Sequence, residues 1–417
     1  MKLVVFEDAK VSKLSPIALT RPAFELKCGI TSLGVKTAKA FSSEIAACFI
    51  REYLAPVQKQ VMPGVKVNDM SALEGEVTLV NARCLFTGRA PELPVNSHVE
   101  KDGDLLAAKL DAKTLASCRG DSIDAVIGNV KSKTEKKDPE DTGITVIEYP
   151  WDLINNNPAA ITSDFKAIGK NGIEGNMAEG SYIYGPKESV YIARGAEVHP
   201  HVCIDTKIGP VMIDEGAEIQ PHTRIEGPAY IGKKAAIVGA KIREGCSIGP
   251  VCKVGGEVEE SIIHGYSNKF HDGFLGHSYV GEWVNLGALT TNSDLKNDYS
   301  SVAVKIDGKL VDTGSLKVGS FIGDHTKTSI GTFLNTGSNI GVLCILVATG
   351  GVLPKYIPTG IWFIKGEHTK GFGFKKLLQT SEAVMNRRKV KITDEYRQML
   401  KTVYDSTKPE RDSVLKR

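Results

Sequence analysis

The sequence has little excess charge of either sign and no long apolar run. Its 417 residues include 52 Lys and Arg against 49 Asp and Glu, a formal net charge of +3. Nucleic-acid binders usually carry a marked cationic surplus to neutralise phosphates, so the composition argues against that class. No run of about 18 apolar residues is present for a membrane helix, and the start MKLVVFEDAK reaches acidic residues too early for a secretory signal. These absences predict a cytoplasmic protein that binds neither nucleic acid nor membrane.

Paired cysteines are also missing. The eight cysteines include no C-x-x-C motif, and most of them lie in apolar or glycine-rich stretches. Such contexts are typical of small buried residues, so we predict free thiols rather than disulfides. The ordinary apolar content of 41% excludes wholesale disorder. Glycine is the unusual component: its 42 residues make up about a tenth of the chain, above the usual share of about 7%.

An internal repeat of six residues dominates the middle of the chain. Aliphatic residues, with one threonine, recur at this spacing in four tracts: Ile192, Val198, Ile204; Ile213, Ile219, Ile225, Ile231, Ile237; Ile242, Ile248, Val254; and Ile322, Thr328, Leu334, Ile340, Leu346, Val352. A period of six fits neither a helix nor a simple strand, but it suits a chain that forms one short strand per hexad and then turns. Three such strands close a triangular coil whose aliphatic residues stack inside. The repeat therefore predicts a parallel β-helix.

The residues before about 170 lack this period and predict an α/β domain with a largely parallel sheet. Strands are expected at 2–6, 77–80, 105–110, 125–130 and 144–149, and helices at 32–41 and 43–54. The charged run 131–142 predicts an exposed loop. After the β-helix, helices are expected at 372–389 and 393–404, the second one capped by Thr393.

The hexad register disappears between Asn292 and Leu316. A strand-turn-strand pattern, VAVKIDGKLV, surrounds Asp307-Gly308 in this segment. Loops that project from a rigid scaffold often bind ligands. A neutral insertion at a corner of the coil is the alternative.

The stretch from Lys269 to Asn292 reads K-F-H-D-G-F-L-G-H-S-Y-V-G-E-W-V-N-L-G-A-L-T-T-N. It resembles the acetyltransferase half of the bifunctional N-acetylglucosamine-1-phosphate uridylyltransferase/glucosamine-1-phosphate acetyltransferases. The resemblance implies a general base at His271, sugar-phosphate binding by Asn285 and Lys269, and a coenzyme A pocket at Ala288. Phe274 and Leu289 replace a tyrosine and a glycine of the family pattern, and the missing hydroxyl removes one substrate hydrogen bond.

The chemistry of His271 agrees with this implied role. An amine or hydroxyl that attacks a thioester must lose a proton, and an imidazole that titrates near neutrality accepts it efficiently. A single histidine without the surrounding motif would more often be structural. A zinc site shared between subunits, as in trimeric β-helix carbonic anhydrases, is an alternative use of His222, His264, His271 and His277.

Three further stretches extend the resemblance over nearly the whole chain: L-T-R-P-A-F-E-L from Leu19, Y-P-W-D-L-I-N-N-N from Tyr149, and G-D-H-T-K-T-S-I-G-T-F-L-N-T-G-S-N-I-G-V from Gly323. The third implies that Asp324 completes the coenzyme site. In the first domain, Arg21 and Lys27 are expected to hold phosphate, and Asp8 or Asp152 to hold Mg²⁺. The family's glycine-rich triphosphate loop is absent, because the first strand runs directly into F-E-D-A-K.

The sequence thus predicts an α/β nucleotidyltransferase-like domain (1–170), a left-handed parallel β-helix (171–370, with the insertion 292–316) and a short helical tail (371–417). The predicted function is acetyl transfer from acetyl-CoA to an amino sugar 1-phosphate, with nucleotidyl transfer to the sugar 1-phosphate as a second activity that needs Mg²⁺. Sugar phosphates and nucleotides are the expected ligands, and a homotrimer is the expected assembly. The alternatives are a nucleotidyltransferase alone, or a non-catalytic scaffold that binds nucleotide sugars.

Overall fold

A computed structural model describes residues 2–138 and 143–415. The chain forms two compact units: the first comprises Met1–Leu14, Thr20–Leu26 and Thr31–Glu148, and the second Ser15–Leu19, Lys27–Ile30 and Tyr149–Arg417. The division after Glu148 lies earlier than the predicted boundary near residue 170. The helix Pro150–Ile168 accounts for the difference, because it packs within the second unit.

The first unit is built on a mixed seven-stranded sheet. In spatial order the strands are Glu135–Lys137, Ser97–Lys101, Asp104–Leu110, Val77–Asn81, Lys2–Phe6, Ile45–Phe49 and Lys66–Val67. The pairings are parallel except for the two that involve Asp104–Leu110. The α-helices are Leu33–Ala40, Ala55–Val61, Ala112–Ser117 and Ile123–Lys133. Shorter elements are the 3₁₀ turns Ala9–Leu14, Ala23–Glu25, Glu52–Leu54 and Met70–Ala72, and the strands Thr31–Ser32, Cys84–Leu85 and Thr145–Val146. The α/β prediction for this region is confirmed.

Two element predictions in this unit are wrong. The segment 43–54 contains the strand Ile45–Phe49 instead of a helix, because its short apolar run is buried beside Lys2–Phe6 in the sheet. The segment 125–130 is helical, since Ser122 Oγ accepts the Ala125 N–H at 3.2 Å and Val126 and Val130 are buried on one face.

The charged run 131–142 is only partly a loop. Its first residues end the helix Ile123–Lys133, and Glu135–Lys137 forms the outermost strand of the sheet. The prediction for 139–142 lies outside the described residues.

The second unit is a parallel β-helix with three strands per coil. One face carries Gly172–Ile173, Val190–Ile192, Val211–Ile213, Ala229–Ile231, Cys246–Ile248, Ile262–Gly265, Tyr279–Glu282, Ser320–Ile322, Ser338–Ile340 and Tyr356–Ile357. The other faces carry Asn176–Met177, Tyr182–Tyr184, Glu197–Val198, Cys203–Asp205, Glu218–Ile219, Arg224–Glu226, Ala236–Ile242, Lys253–Glu259, Asn268–Lys269, Phe274–Gly276, Thr291–Asn292, Lys327–Thr328, Phe333–Leu334, Ile345–Leu346 and Trp362–Ile364. A last strand, Glu367–Thr369, turns back antiparallel on Trp362–Ile364.

The hexad residues fill the interior of this β-helix, as predicted. They form one continuous apolar core from Val190 to Phe363. The last member of the series is the exception, because Val352 is 60% exposed and Leu353 is buried in its place. Val352 bridges Phe333 on the outer surface, so the register has gained one residue in the turn after Leu346.

The insertion contains the predicted hairpin. Strands Ala303–Ile306 and Lys309–Asp312 pair antiparallel around Asp307 and Gly308, whose φ values of 47° and 75° suit a tight two-residue turn. The segment is tied to the coils at its start, where Asn292 Oδ1 accepts the N–H of Gly276 at 2.8 Å.

Helices cover parts of the β-helix. Inside the long helix Pro150–Ile168, the buried Asn157 accepts the Gly29 N–H at 2.6 Å and donates to the Gly245 carbonyl at 2.8 Å. The tail forms the two predicted helices, Gly373–Asn386 and Asp394–Ser406, and a third one, Lys408–Val414. Thr393 caps the second tail helix as predicted, with its hydroxyl accepting the Tyr396 N–H.

All eight cysteines are free thiols, and seven of them are buried. Burial raises the pKa of Cys48, Cys84 and Cys252 to about 12, so these thiols stay protonated near neutrality. Within the described ranges, no helix has the length and apolar character needed to cross a membrane.

Candidate functional site

A groove of about 390 Å³ runs along the side of the β-helix. It is lined by Lys253, Asn268, Phe270, His271, Asn285, Leu286, Gly287, Ala288, Ile330, Arg387 and Arg388. Its volume lies within the range of about 300–1,000 Å³ that small-molecule sites occupy. Of the residues that the sequence singled out, His271, Asn285 and Ala288 line this groove.

The coil register brings these three residues together. Asn268 bridges Asn285 on the next coil, and Asn285 bridges Lys327 on the coil after it. His271 follows Asn268 by three positions and Ala288 follows Asn285 by three, so the two residues occupy equivalent places on adjacent coils. Proximity across a 17-residue gap in sequence therefore follows directly from the β-helix.

His271 is exposed at the mouth of the groove. Its ring packs edge-to-face against Phe270, with centroids 5.1 Å apart. Its backbone carbonyl accepts a hydrogen bond from Lys269 Nζ at 3.1 Å, which fixes the chain at this point. An accessible imidazole held on a rigid coil can take a proton from a bound amine or hydroxyl.

Lys269, predicted to bind substrate, points into the β-helix. Its side chain is only 3% exposed, and Nζ donates to the Gly255 carbonyl at 2.9 Å as well as to His271. Burial disfavours the charged form and lowers the pKa of Lys269 to about 8. Lys269 is therefore not among the residues that line the groove. Its hydrogen bond to the His271 carbonyl instead holds the backbone of His271 in place.

Asp324, predicted at the coenzyme pocket, is also absent from the lining residues of the groove. It is buried, and its Oδ1 accepts the backbone N–H of Glu282 at 2.8 Å. Such a bond satisfies a backbone donor inside the coil. Phe274, the residue in place of the family's tyrosine, is half-buried, and its N–H donates to Thr291 Oγ1 at 3.1 Å.

Three cationic residues of the groove were missed by the sequence analysis. Lys253 pairs with Asn268 on the next coil, but the two residues are not separated by a multiple of six, so the hexad period does not relate them. Arg387 and Arg388 follow the tail helix Gly373–Asn386 and enter the lining from far along the chain. Arg388 Nη2 donates to Asn268 Oδ1 at 2.9 Å. No local signal in the sequence relates this pair of arginines to the coils.

His277 lies away from this groove in a buried cluster of its own. Its Nδ1 is 2.8 Å from Asp294 Oδ2, and its Nε2 is 3.3 Å from Glu260 Oε2. Burial opposes protonation, but the hydrogen bonds with Asp294 and Glu260 prevail and raise the pKa of His277 to about 9. Both ring nitrogens are engaged with carboxylates, so His277 is built to hold charge rather than to accept a proton.

In the first unit, the acidic residues that follow the first strand are paired with arginines. The Glu7 carboxylate binds the Arg51 guanidinium, and Asp8 binds Arg83, whose Nε lies 3.0 Å from Asp8 Oδ1. Burial alone would raise the pKa of Asp8, but the hydrogen bonds and charge of Arg83 hold it below its ordinary value. Arg83 is fully buried and also binds Asp104 at 2.8 Å.

These pairs do not fit the predicted Mg²⁺ site. A cation at Asp8 would have to displace the buried guanidinium of Arg83, which cannot lose its charge. Asp152 accepts the Tyr149 N–H at 2.9 Å at the start of the helix Pro150–Ile168. Across residues 2–138 and 143–415, no group of three or more His, Cys, Asp or Glu side chains is arranged to hold a metal ion.

Arg21, the predicted phosphate ligand, is buried in the first unit, and its carbonyl accepts a hydrogen bond from Arg51 Nη2 at 2.8 Å. Lys27 belongs to the second unit, where its Nζ donates to the Ile30 carbonyl at 3.2 Å. The phosphate-binding roles of both residues stay predictions.

Comparison with known proteins finds a sugar nucleotidyl transferase family whose model matches residues 3–172. A bifunctional sugar-1-phosphate nucleotidylyltransferase/acetyltransferase of Sulfurisphaera tokodaii is 36% identical over 107 residues, which cover 26% of each chain. The bifunctional protein GlmU of Nitratidesulfovibrio vulgaris is 30% identical over 187 residues, which cover 43% of this chain and 36% of that protein. The matches thus span about a quarter to a third of these relatives.

Among solved structures, a UDP-N-acetylglucosamine acyltransferase of Francisella novicida aligns with 58% of this chain and 97% of its own, at 14% identity and a TM-score of 0.31. The chain joins a segment similar to the sugar nucleotidyl transferase family to a parallel β-helix, and the names of both relatives describe bifunctional proteins.

Proposed function

We propose that this chain, with its sugar nucleotidyl transferase domain and β-helix, transfers an acetyl group from acetyl-CoA to an amino sugar 1-phosphate at the groove around His271. One observation carries the proposal: the predicted base and two predicted ligand residues, His271, Asn285 and Ala288, line the same groove. Similarity to bifunctional nucleotidylyltransferase/acetyltransferases supports the same reaction class.

In this mechanism His271 accepts the proton that the sugar amine loses as the new amide bond forms. The C–S bond of the thioester breaks in the same reaction, and coenzyme A leaves as a thiol that takes up a proton. The amide of Asn285 binds the sugar phosphate, and the small side chain of Ala288 leaves room for the acyl donor beside it. When bound, acetyl-CoA supplies the acetyl group as a reactive thioester. The cationic lining of Lys253, Arg387 and Arg388 suits ligands that carry phosphate groups.

The test is thiol release from acetyl-CoA with glucosamine 1-phosphate as acceptor. We expect His271→Ala to lower kcat by about 100-fold or more, the usual contribution of a general base. His222→Ala is the matched control, because His222 is another exposed histidine of the β-helix outside the groove. Equal activity of the two variants, or inert wild-type protein with a panel of amino sugars and acyl donors, would overturn the proposal.

Nucleotidyl transfer by the first unit is the second candidate activity, supported by the family match over residues 3–172. Its assay is pyrophosphate release from a nucleoside triphosphate and a sugar 1-phosphate. If this activity is present and thiol release is absent, the chain is a nucleotidyltransferase whose β-helix is structural. If both activities are absent, the protein is a non-catalytic scaffold that binds nucleotide sugars.

We further propose that the protein is a cytoplasmic homotrimer. Eight free thiols fit the reducing interior of the cell. Large apolar side chains are exposed on successive coils, including Leu289, Ile330 and Val352, and Ile330 also lines the groove. Exposed apolar side chains that group into a patch are typical of a protein interface.

A further inference from the structure

The C-terminal tail reaches the groove through two adjacent arginines. The helix Gly373–Asn386 ends immediately before Arg387 and Arg388, and both of these side chains are among the lining residues. Arg388 is half-buried, whereas Arg387 is exposed. The tail therefore does more than cover the β-helix, because it supplies two of the three cationic side chains of the groove.

A chain of hydrogen bonds connects Arg388 to Asn285 through Asn268. Arg388 Nη2 donates to Asn268 Oδ1 at 2.9 Å, and Asn268 Nδ2 donates to Asn285 Oδ1 at 3.2 Å. A guanidinium has only donors, so the atom of Asn268 that faces it must be the amide oxygen. The remaining Asn268 NH₂ group must then face an acceptor, which fixes the oxygen of Asn285 toward Asn268.

These hydrogen bonds fix the orientation of the Asn285 side-chain amide. Its oxygen is occupied by Asn268, so its NH₂ group is the part of the amide left for a ligand. Among the described residues, no hydrogen-bond partner is present for this Nδ2 atom. Asn285 is thereby a donor in the groove, and a donor needs an acceptor such as a phosphate oxygen.

The charge of the groove favours the same kind of ligand. Lys253, Arg387 and Arg388 contribute positive charge, and no carboxylate occurs among the lining residues that the structure describes. Hydrogen bonds from charged donors to phosphate are roughly twice as strong as those between neutral groups. Three cationic side chains and the oriented amide donor of Asn285 therefore line the same groove.

We propose that Arg388 is a positioning residue that holds Asn285 as a hydrogen-bond donor through Asn268, and that this relay makes the groove selective for a phosphate-bearing ligand. The identity of the reaction rests on the proposed function, but the anion selectivity does not. The phosphate belongs either to the acceptor sugar or to the coenzyme, and the two sources are separable by experiment.

The test is calorimetric titration of the full-length chain with glucosamine 1-phosphate, with glucosamine and with coenzyme A. We expect at least one phosphate-bearing ligand to bind. If the sugar carries the recognised phosphate, glucosamine should bind more weakly than glucosamine 1-phosphate. Arg388→Gln should lower the affinity for the phosphate-bearing ligand about tenfold. Arg388→Lys, which can still donate to Asn268, should restore most of the affinity. Arg397→Gln is the matched control, since Arg397 joins Glu382 and Asp394 within the tail and lies outside the groove.

A double-mutant cycle distinguishes the relay from direct contact. Asn268→Leu removes both hydrogen bonds of the relay at similar size, so combining it with Arg388→Gln should cost clearly less than the product of the two single losses of affinity. If the losses of affinity in the two single variants multiply in the double variant, Arg388 acts independently of Asn268, which would overturn the relay. Equal losses in Arg388→Gln and Arg397→Gln, or no binding of any phosphate-bearing ligand, would overturn the inference.

Failure of the proposed function has a different signature. If thiol release is absent with every acceptor while binding still depends on Arg388, the acetyltransferase is wrong and the anion site stands. If acetyl transfer depends on His271 but neither ligand affinity responds to Arg388→Gln, the acetyltransferase stands and the relay is wrong.

Discussion

The Glu7 carboxylate lies in a cradle of four donors. Oε1 accepts the Ala23 N–H at 2.8 Å and Arg51 Nη2 at 3.0 Å, and Oε2 accepts the Arg51 N–H and Nε at 3.0 Å each. Backbone amides combined with a guanidinium form the kind of environment that binds phosphate oxygens in other proteins. Here a side chain of the protein itself fills it, directly after the first strand.

We predict that Glu7→Ala lowers the free energy of unfolding by about 3–5 kcal/mol. The substitution leaves a largely buried guanidinium without its anion, and uncompensated buried charge is strongly destabilising. The measurement is urea unfolding of the full-length protein, with the transition of the first unit followed separately because two units need not unfold together.

The control for Glu7 is Glu74→Ala, which breaks the exposed pair between Glu74 and Lys2. Exposed pairs contribute little, so this change should cost less than about 1 kcal/mol. Comparable losses in the two variants would mean that the cradle around Glu7 adds nothing beyond an ordinary surface pair.

At the scale of elements, the His277 cluster fastens the insertion to the coils. His277 comes from the coil, Glu260 from the coil before it, and Asp294 from the start of the inserted segment. The Val318 N–H also donates to the Asp294 carbonyl at 2.8 Å where the segment returns. The end of the insertion is therefore hydrogen-bonded to Asp294 at its start, and Asp294 belongs to the His277 cluster.

This cluster predicts a loss of stability at alkaline pH. Because the folded pKa of His277 is about 9 and the ordinary value 6.5, its stabilisation is complete below about pH 6.5 and disappears as pH rises through 9. The full contribution is on the order of 3 kcal/mol, at about 1.36 kcal/mol per pKa unit. We expect the protection factors of amides in the segment 292–316, which correct for the base-catalysed rise in intrinsic exchange, to fall over this range.

His277→Gln should remove that pH dependence, while His222→Gln should retain it. The difference from wild type is the informative quantity, because Lys269, with its pKa lowered to about 8, contributes in the opposite direction between pH 8 and 10. Unchanged protection factors in the insertion between pH 6 and 10 would contradict the role of His277 as a charged link between the insertion and the coils.

At the scale of the whole molecule, exposed apolar residues favour association of identical chains. Leu289, Ile330 and Val352 are 58%, 73% and 60% exposed on three successive coils. Leu289 also has a φ of 62°, a region that favours glycine, which is the residue of the resembling family at this position.

We predict that the protein in solution has three times the chain mass of 45.0 kDa. Ile330→Asp should shift the mass toward that of one chain, because it places a charge in an apolar contact. Ile208→Asp, at another highly exposed isoleucine, should leave the assembly intact. Sedimentation velocity at several concentrations measures all three; a wild-type monomer, or an unaltered trimer in Ile330→Asp, would contradict the interface.

The six-residue period was enough to predict the β-helix and the residues of its interior, because a fixed period places every sixth residue at an equivalent position on the coils. The roles of His271, Asn285 and Ala288 came instead from the resemblance to a known family, since this part of the chain lies outside the regular six-residue register. The same periodicity failed locally at Val352, where one added residue in a turn moved Leu353 inward.

Which residues reach those coils from elsewhere in the chain depends on tertiary packing. The arrival of Arg387 and Arg388 depends on how a tail helix packs, and the direction of Lys269 depends on which carbonyls its ammonium reaches. Ile45–Phe49 became a strand because a neighbouring strand was available to pair with it, not because of its own pattern. Long-range packing and pairing free energies of this kind have no local signature, and therefore the charge and polarity of the groove could be known only from the fold.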